Sequence, residues 1–206
     1  MTISVTPYID LARDLLRDYQ PRVIDAPGAR RAAVMTLLFH DLGADRVLLT
    51  KRTDTVEHHK GQISFPGGGV DADDVDLSAT ALRETWEEVG VDPDHVEIIG
   101  QLDEIVTISN FLVTPYVGVL HRTPYVWVPS DIEVAEVLEP PIAVLLEEAT
   151  LVLEERFVDG AAHVAPAYHW NGHRIWGATA RMLHEFLDLL RGAPDRLAAI
   201  EQTVRL

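Results

Sequence analysis

Apolar residues recur at helical spacing from Pro7 to Tyr19, and charged residues occupy the opposite face of that segment. This periodicity predicts an amphipathic helix. The run from Arg31 to His40 is almost continuously apolar and lacks proline, which is typical of a buried strand. A turn at residues 41–45 then leads into a second apolar segment from Arg46 to Arg52, so we expect a β-hairpin.

Strands and helices alternate along the rest of the chain. A helix is predicted from Leu77 to Val89, with Asp76 or Ser78 as its N-cap and Gly90 as its C-terminal stop. Phe65-Pro-Gly-Gly-Gly69 should interrupt regular structure. Further strands are expected at Val96–Ile105, Phe111–Leu120, Val134–Leu138, Leu151–Val158 and Ala165–Trp170, and further helices from Pro141 and over Trp176–Leu190. This order, without regular parallel βαβ spacing, predicts a mixed α/β or α+β fold.

We expect a single domain over residues 1–206, with an N-terminal helical extension (1–29), a core (30–190) and a polar tail (191–206). Of the 206 residues, 47% are hydrophobic and 24% are charged. These values are typical of a folded domain that buries a sizeable core. They exclude a largely disordered or collagen-like chain.

An excess of acidic residues gives the chain a formal net charge of -16. Such a chain repels nucleic acid and anionic membranes, so we expect neither as a partner. The absence of cysteine excludes disulfides, thiolate metal sites and cysteine nucleophiles. No apolar run has the length of a membrane span, and the first residues lack the pattern of a secretory signal. We therefore expect a soluble, cytoplasmic protein.

Three carboxylates share one face of the predicted helix. At about 100° per residue, Glu84, Glu87 and Glu88 fall within one sector, whereas Leu82 and Trp86 lie on the opposite face, which we expect to be buried. Like charges at this spacing destabilise a helix, and no basic residue four positions away compensates Glu84 or Glu88. A divalent cation, Mg²⁺ or Mn²⁺, is therefore the natural partner for these oxygen ligands. A solvated acidic surface is the alternative.

This segment resembles the signature of the Nudix hydrolases, G-x5-E-x7-R-E-U-x-E-E-x-G-U, in which U is a bulky apolar residue. Matching positions are Arg83, Glu84, Glu87, Glu88, Gly90 and Val91, and Phe65-Pro-Gly-Gly68 precedes them. Counting back from Arg83 places Val75 where the first glutamate is expected, whereas counting forward from Gly68 reaches Asp74. The loop therefore carries one extra residue, and Thr85 replaces the first apolar position. Three loop acids are available to replace the glutamate: Asp73, Asp74 and Asp76.

The resemblance implies an α/β/α sandwich with a mixed β-sheet, and a metal-dependent pyrophosphohydrolase that acts on a small nucleoside diphosphate derivative. The metal ligands that it implies are the catalytic glutamates Glu84, Glu87 and Glu88, and the carbonyl of Gly67 is a further ligand. Arg83 is expected to orient the helix carboxylates by salt bridges, and Gly68 and Gly90 are structural residues of the motif. Bound Mg²⁺ or Mn²⁺ would bridge phosphate oxygens and lower the pKa of a water nucleophile.

Residues 48–68 resemble the motif of the coenzyme A pyrophosphatase branch, L-L-T-x-R-[SA]-x3-R-x3-G-x3-F-P-G-G. The matching residues are Leu48, Leu49, Thr50, Arg52, Gly61, Phe65, Pro66, Gly67 and Gly68. Thr53 replaces serine or alanine, and Glu57 replaces the second arginine, which reverses a charge. The resemblance implies hydrolysis of coenzyme A to 3′,5′-ADP and 4′-phosphopantetheine. Because of Glu57, ADP-ribose and NADH remain alternative substrates.

Cationic side chains are expected to contact the anionic substrate. Arg52 is preferred, because it belongs to the motif and a guanidinium suits phosphate, and Arg31 and Lys60 are further candidates. The family often uses an additional glutamate as a base before the last core strand. Glu133 and Glu136 both have that placement, and Glu136 is preferred as the catalytic base because it directly precedes the apolar strand.

Two segments carry most of the net charge. Residues 71–88 hold seven acids and one base, and residues 131–155 hold eight acids and no base. The resemblance brings parts of both segments to one metal site, where bound metal reverses the local repulsion of an anionic substrate. It also makes a homodimer an expectation. A non-catalytic nucleotide sensor is the alternative of another class, although the helix glutamates that such modules commonly lose are all present.

Overall fold

Twelve strands and five helices alternate in the computed structural model of the chain, which describes residues 6–53, 61–158 and 161–204. The strands are β1 (Arg30–Asp41), β2 (Ala44–Val47), β3 (Leu49–Arg52), β4 (Ile63–Ser64), β5 (Gly67–Gly69), β6 (Val96–Gln101), β7 (Ile105–Val106), β8 (Phe111–Leu120), β9 (Val134–Leu138), β10 (Leu151–Val158), β11 (Ala161–Trp170) and β12 (His173–Ile175). The helices are α1 (Pro7–Arg17), α2 (Leu77–Val89), α3 (Ile142–Leu145), α4 (Gly177–Arg191) and α5 (Pro194–Val204).

The central sheet is mixed. Strand β1 pairs in parallel with β8, with Arg30 opposite Phe111 and Leu38 opposite Val119. Antiparallel partners extend this pair: β2 and β5 pair with β1, and β6 and β7 pair with β8. Two smaller antiparallel sheets have the orders β4-β3-β9 and β10-β11-β12. The β4-β3-β9 sheet lies beside α2.

Side chains of β1 alternate between the two faces of the central sheet and are buried on both. Met35 and Phe39 pack with Ala81 of α2, whereas Ala32 and Leu38 belong to the core that includes α1 and α4. A strand buried on both faces reads as a continuous apolar run, which is the pattern seen in the sequence. The order of layers is helix, sheet, helices, so the predicted α/β/α sandwich with a mixed sheet is confirmed.

Several predicted elements form with the expected bounds, among them α2, β8 and β9. The predicted hairpin forms between β1 and β2, but its second segment divides at Leu48, and β2 and β3 then join different sheets. Residues 65–66 interrupt regular structure between β4 and β5, as predicted, but the prediction is wrong for Gly67–Gly69, because they form β5 and pair with β1. The predicted strand at 96–105 ends at Gln101, and Pro141 is the N-cap of α3 instead of its first residue.

Both ends of the described chain pack against the core. The N-terminal helix α1 is joined to the core by Asp45 of β2, whose buried carboxylate accepts hydrogen bonds from the amides of Tyr8 (2.8 Å) and Ile9 (3.2 Å). Part of the predicted polar tail forms α5, whose Leu197 is buried in the core with α1 and α4. Within residues 6–53, 61–158 and 161–204, none of the helices combines the length and apolar composition needed to cross a bilayer.

Candidate active site

Helix α2 begins and ends where the sequence predicts. The Asp76 carboxylate accepts a hydrogen bond from the Ala79 amide (2.8 Å), so Asp76 is the N-cap. Gly90 ends the helix in the left-handed region (φ 73°) and donates its N–H to the Trp86 carbonyl. A Cβ at Gly90 would also lie only 2.8 Å from Cβ of Val128. Both the backbone conformation and the close approach therefore require glycine there.

The buried face of α2 differs from the predicted one. Trp86, expected in the core, is 56% exposed, whereas Glu88 is only 2% exposed. The buried residues of the helix are Thr80, Ala81, Thr85, Glu88 and Val89. Small side chains let the helix approach the glycine strand β5 closely, and this approach carries carboxylates of the motif into the interior.

Glu88 is the most deeply buried acid of the motif. Its Oε2 accepts a hydrogen bond from the Thr50 hydroxyl (3.2 Å), whereas its Oε1 has no hydrogen-bond partner among the described residues. Burial raises the pKa of Glu88 to about 7, and the charges of Glu133 and Glu84 add to this effect. Arg52 acts in the opposite direction. A buried carboxylate oxygen without a partner is costly, so this donor fits a cationic ligand.

Glu84 lies against β5. A Cβ at Gly68 would stand 2.5 Å from Glu84 Oε1, so the carboxylate occupies the space that any side chain at Gly68 would need. At Gly67, a Cβ would stand 2.5 Å from the backbone Cα of Val34 on β1. Burial raises the pKa of Glu84, and the hydrogen bond from Arg83 opposes that rise. The two glycines therefore allow β5 to lie between β1 and the Glu84 carboxylate.

Arg83 forms salt bridges with the other two glutamates of the motif, Glu84 and Glu87. Its guanidinium donates to Glu84 Oε1 (3.0 Å) and Glu87 Oε2 (3.1 Å), and to the Gly69 carbonyl (3.0 Å). These salt bridges are the contacts expected of an arginine that orients the helix carboxylates. Glu87 is the most exposed of the three glutamates and faces solvent beside the site.

Asp74, in the loop before α2, forms a salt bridge with Arg83. Its two oxygens accept a bidentate pair of hydrogen bonds from Arg83 (2.9 and 3.0 Å), and the Thr80 hydroxyl donates to the same carboxylate (2.8 Å). The Arg83 guanidinium holds the pKa of Asp74 well below its usual range. Of the three loop acids considered from the sequence, Asp76 caps the helix, and Asp74 is the one that contacts Arg83.

The preference for Glu136 over Glu133 does not agree with the geometry. Thr50 and Arg52 of β3 share one face and both approach Glu88, whereas Lys51 between them points to the other face. Glu136 pairs with Lys51 in the ladder and lies 3.9 Å from its Nζ, so it belongs to that other face. Glu133 Oε2 instead lies 3.6 Å from Arg52 Nη2. The charge of Glu133 raises the pKa of both Glu84 and Glu88, so Glu133 is the loop glutamate beside the motif.

A loop fixed to the end of α2 holds Glu133 in place. The amides of Val128 and Ser130 donate to the carbonyls of Val89 and Glu88, both at 2.9 Å. These bonds satisfy carbonyls that a helix end leaves without partners. The Glu133 amide then donates to the Ser130 carbonyl (3.1 Å), and its own carbonyl accepts from the Thr53 amide (3.0 Å). Sequence reasoning missed this connection, because no local pattern marks a loop that caps a distant helix.

The predicted substrate-binding residues occupy different places. Arg52 lies in the site, 3.7 Å from Glu88 Oε1. Arg31 is on β1, where it donates to the buried Glu104 (3.3 Å). Lys60 and the charge-reversing Glu57 lie outside the described residues.

The carboxylates of Glu84, Glu87 and Glu88 lie near one another but do not point to a common centre. In the part of the chain that the structure describes, no three histidine, aspartate or glutamate side chains already form a metal-binding group. Glu84 and Glu87 face Arg83, and Glu88 faces Thr50 and Arg52. Binding of an ion to all three glutamates therefore requires rotation of side chains, with the backbone of α2 already in place.

Comparisons with known proteins show the family of the chain. The model of the NUDIX domain matches residues 29–168. The Nudix hydrolases NudL of Salmonella paratyphi B and Salmonella enteritidis are each 37% identical to the chain over 139 residues, which cover 68% of this chain and 72% of the relative. The crystal structure of a MutT/nudix family protein from Enterococcus faecalis has the same fold, with a TM-score of 0.51 and 15% identity over 87% of this chain and 66% of that one. The chain therefore belongs to the Nudix hydrolases and acts on pyrophosphate bonds.

Proposed function

We propose that this Nudix hydrolase cleaves the diphosphate of a nucleoside diphosphate linked to a second group, with coenzyme A or its derivatives as substrate. The observation that carries the proposal is the Glu88 carboxylate. It is buried beside Glu84, and within the described chain one of its oxygens lacks a hydrogen-bond partner. Such an arrangement suits the binding of a cation that then receives phosphate oxygens.

Glu84, Glu87 and Glu88 would hold the metal, Mg²⁺ or Mn²⁺, with the carbonyl of Gly67 as an additional ligand. The donors are all oxygen, the type that these hard ions prefer. When bound, the ion neutralises phosphate charge and lowers the pKa of water. Arg83 orients two of the three carboxylates from outside, and its pair with Asp74 keeps the guanidinium in place.

Glu133 is the residue that we assign to accept the proton of the attacking water. The water oxygen forms a bond to one phosphorus of the diphosphate, and the bridging oxygen leaves with the other phosphate. Glu133 is 43% exposed, so water and substrate reach it, and the loop bonded to the end of α2 fixes its position beside Glu88. A general base has to come within hydrogen-bond reach of the water that it deprotonates, and the place of Glu133 beside the motif glutamates supports this role.

Coenzyme A is favoured by the match of residues 48–68 to the motif of that branch. Its hydrolysis would yield 3′,5′-ADP and 4′-phosphopantetheine. One specific observation favours a second candidate: Glu57 places a negative charge where the motif has an arginine, and a glutamate repels a phosphate group. ADP-ribose and NADH lack the 3′-phosphate of coenzyme A, so they are the alternative substrates.

Product analysis tests the proposal. The purified protein is incubated with Mg²⁺ or Mn²⁺ and, in separate reactions, with coenzyme A, ADP-ribose, NADH or a nucleoside triphosphate. We expect 3′,5′-ADP and 4′-phosphopantetheine from coenzyme A as the fastest reaction, and its loss in Glu88→Gln. Faster turnover of ADP-ribose or NADH would assign the alternative, and binding of these compounds without turnover would favour the sensor.

The assignment of the base has its own test, a comparison of Glu133→Gln with Glu136→Gln. Both variants remove one negative charge from neighbouring positions, but the two side chains lie on different faces of the β3–β9 pair. We expect Glu133→Gln to lower kcat by about 10²-fold, the usual contribution of a general base. A larger loss in Glu136→Gln would restore the original preference.

A further inference from the structure

Arg52 stands between two acids of the site. Its Nη1 lies 3.7 Å from Glu88 Oε1, and its Nη2 lies 3.6 Å from Glu133 Oε2. Both distances exceed those of hydrogen bonds, so charge attraction without directed bonds joins the guanidinium to these two acids. Its side chain is 24% exposed, which leaves a route outward.

The oxygen of Glu88 that faces Arg52 is also the oxygen that lacks a hydrogen-bond partner among the described residues. The other oxygen is bonded to Thr50. A divalent ion bound at Glu88 would place two positive charges close to the guanidinium. In this weakly solvated setting, like charges at such a distance repel strongly, so the ion and Arg52 compete for the same carboxylate.

We infer that Arg52 is a displaceable counter-ion, which neutralises Glu88 and Glu133 in the metal-free protein and turns toward the substrate phosphates when a divalent metal takes its place. The inference rests on the metal site proposed above and adds a second role for the residue. Because a guanidinium pairs well with both carboxylate and phosphate, one side chain serves both states. Arg52 is thus a competitor of the metal and a partner of the substrate.

Opposite effects on two affinities follow from this exchange. If Arg52 occupies the acids in about nine-tenths of the metal-free molecules, the apparent Kd for metal is about tenfold weaker than the intrinsic one. Its removal should therefore tighten metal binding and weaken phosphate binding. A residue that only supports the fold of the site would weaken both.

The test uses Arg52→Gln and, as the matched control, Lys51→Gln. Lys51 is the neighbouring cation on the same strand, but it lies on the other face, 3.9 Å from Glu136. The Kd for Mn²⁺ is measured by calorimetry, and the Kd for pyrophosphate is then measured at saturating Mn²⁺. We expect Arg52→Gln to bind Mn²⁺ about tenfold more tightly and pyrophosphate about tenfold more weakly, and Lys51→Gln to change either value by less than about threefold.

The outcomes separate this inference from the proposed function. Unchanged Mn²⁺ binding in Glu88→Gln would remove the proposed metal site itself. Glu88-dependent Mn²⁺ binding that Arg52→Gln leaves unchanged or weakens would overturn only the counter-ion role, as would an equal gain in Lys51→Gln. If Arg52→Gln does not fold, Arg52→Lys replaces it, because lysine keeps the charge but loses the planar fork. We then expect smaller changes of the same two signs, and wild-type values for both ligands would overturn the inference.

Discussion

Replacement of Gly68 by alanine tests the contact between β5 and Glu84 of α2. A Cβ at this position would lie 2.5 Å from Oε1 of Glu84 and 2.7 Å from Oε2. An ordinary van der Waals contact begins at 3.4 Å, so the Glu84 carboxylate has to move by about 0.9 Å. The backbone of Gly68 itself is not strained, because its φ lies outside the left-handed region.

The effect on catalysis should exceed the effect on stability. A displacement of about 1 Å at a catalytic group costs on the order of 10²-fold in rate, so we expect kcat/KM of Gly68→Ala to fall by about that factor. The displaced atoms belong to the end of a side chain, so overpacking should cost only about 1–2 kcal/mol. This cost is partly offset by about 0.4–1 kcal/mol, because alanine restricts the unfolded chain. The midpoint of unfolding should fall by a few degrees at most.

The neighbouring glycines supply matched controls on the same strand. At Gly69 a Cβ meets nothing within 4 Å, so Gly69→Ala should retain activity and stability. At Gly67 a Cβ overlaps the backbone of β1, which cannot rotate away, so Gly67→Ala should unfold at a markedly lower temperature. Turnover of the diphosphate substrate and thermal unfolding are measured for all three variants. Equal activity of Gly68→Ala and Gly69→Ala would refute the contact with Glu84.

Two further predictions concern pH. Because burial raises the pKa of Glu88 from 4.5 to about 7, its neutral form favours the folded state, and this contribution is lost as the pH rises through about 7. The metal-free protein should therefore unfold at a higher temperature at pH 6 than at pH 8, and Mn²⁺ should bind more weakly at pH 6. Glu88→Gln should reduce both of these pH differences. If the variant showed the same pH differences as the wild type, the assignment to Glu88 would be contradicted. Asp74, whose pKa is lowered by Arg83, contributes stability above about pH 4 that is lost as the pH falls through its folded-state pKa. Asp74→Asn should thus lower the unfolding temperature at pH 7 by more than at pH 3, and a constant difference by calorimetry would argue against the ion pair.

Local patterns were sufficient for helix α2 and its ends. The N-cap Asp76 and the stop Gly90 follow from side-chain and backbone preferences within a few residues. The spacing of the glutamates along the helix is likewise a local property. The hydrophobic pattern of the helix predicts the wrong buried face, because Trp86, the largest apolar residue of the helix, is exposed.

The error over the buried face has a tertiary cause. Helix α2 packs against β1 and the glycine strand β5, and its buried positions hold small residues such as Ala81 and Thr85 instead of the largest apolar one. The strand itself exists only because β5 pairs with β1, a contact between distant segments. Hydrophobicity along one helix carries no information about the shape of the surface that receives it.

Counting along the chain also left two choices open that contacts decided. Of the loop acids, Asp74 is the one that reaches Arg83, and this depends on how the loop before α2 turns. The sequence favours Glu136 over Glu133 because Glu136 directly precedes the apolar strand. Which of the two lies beside Arg52 depends instead on the pairing of β9 with β3 and on a register shift between Lys51 and Arg52. Since successive strand residues face opposite ways, a shift of one residue changes which glutamate faces the site.

The sequence by itself determined the family, the order of the core elements and the three glutamates of the helix. All of these depend on spacing between residues that are close along the chain. Only the tertiary structure decided that Glu88 is buried and that Arg52 lies between Glu88 and Glu133. These features arise where β3, β5, α2 and the loop before β9 meet. Desolvation and charge attraction there depend on distances through space, which spacing along the chain does not contain.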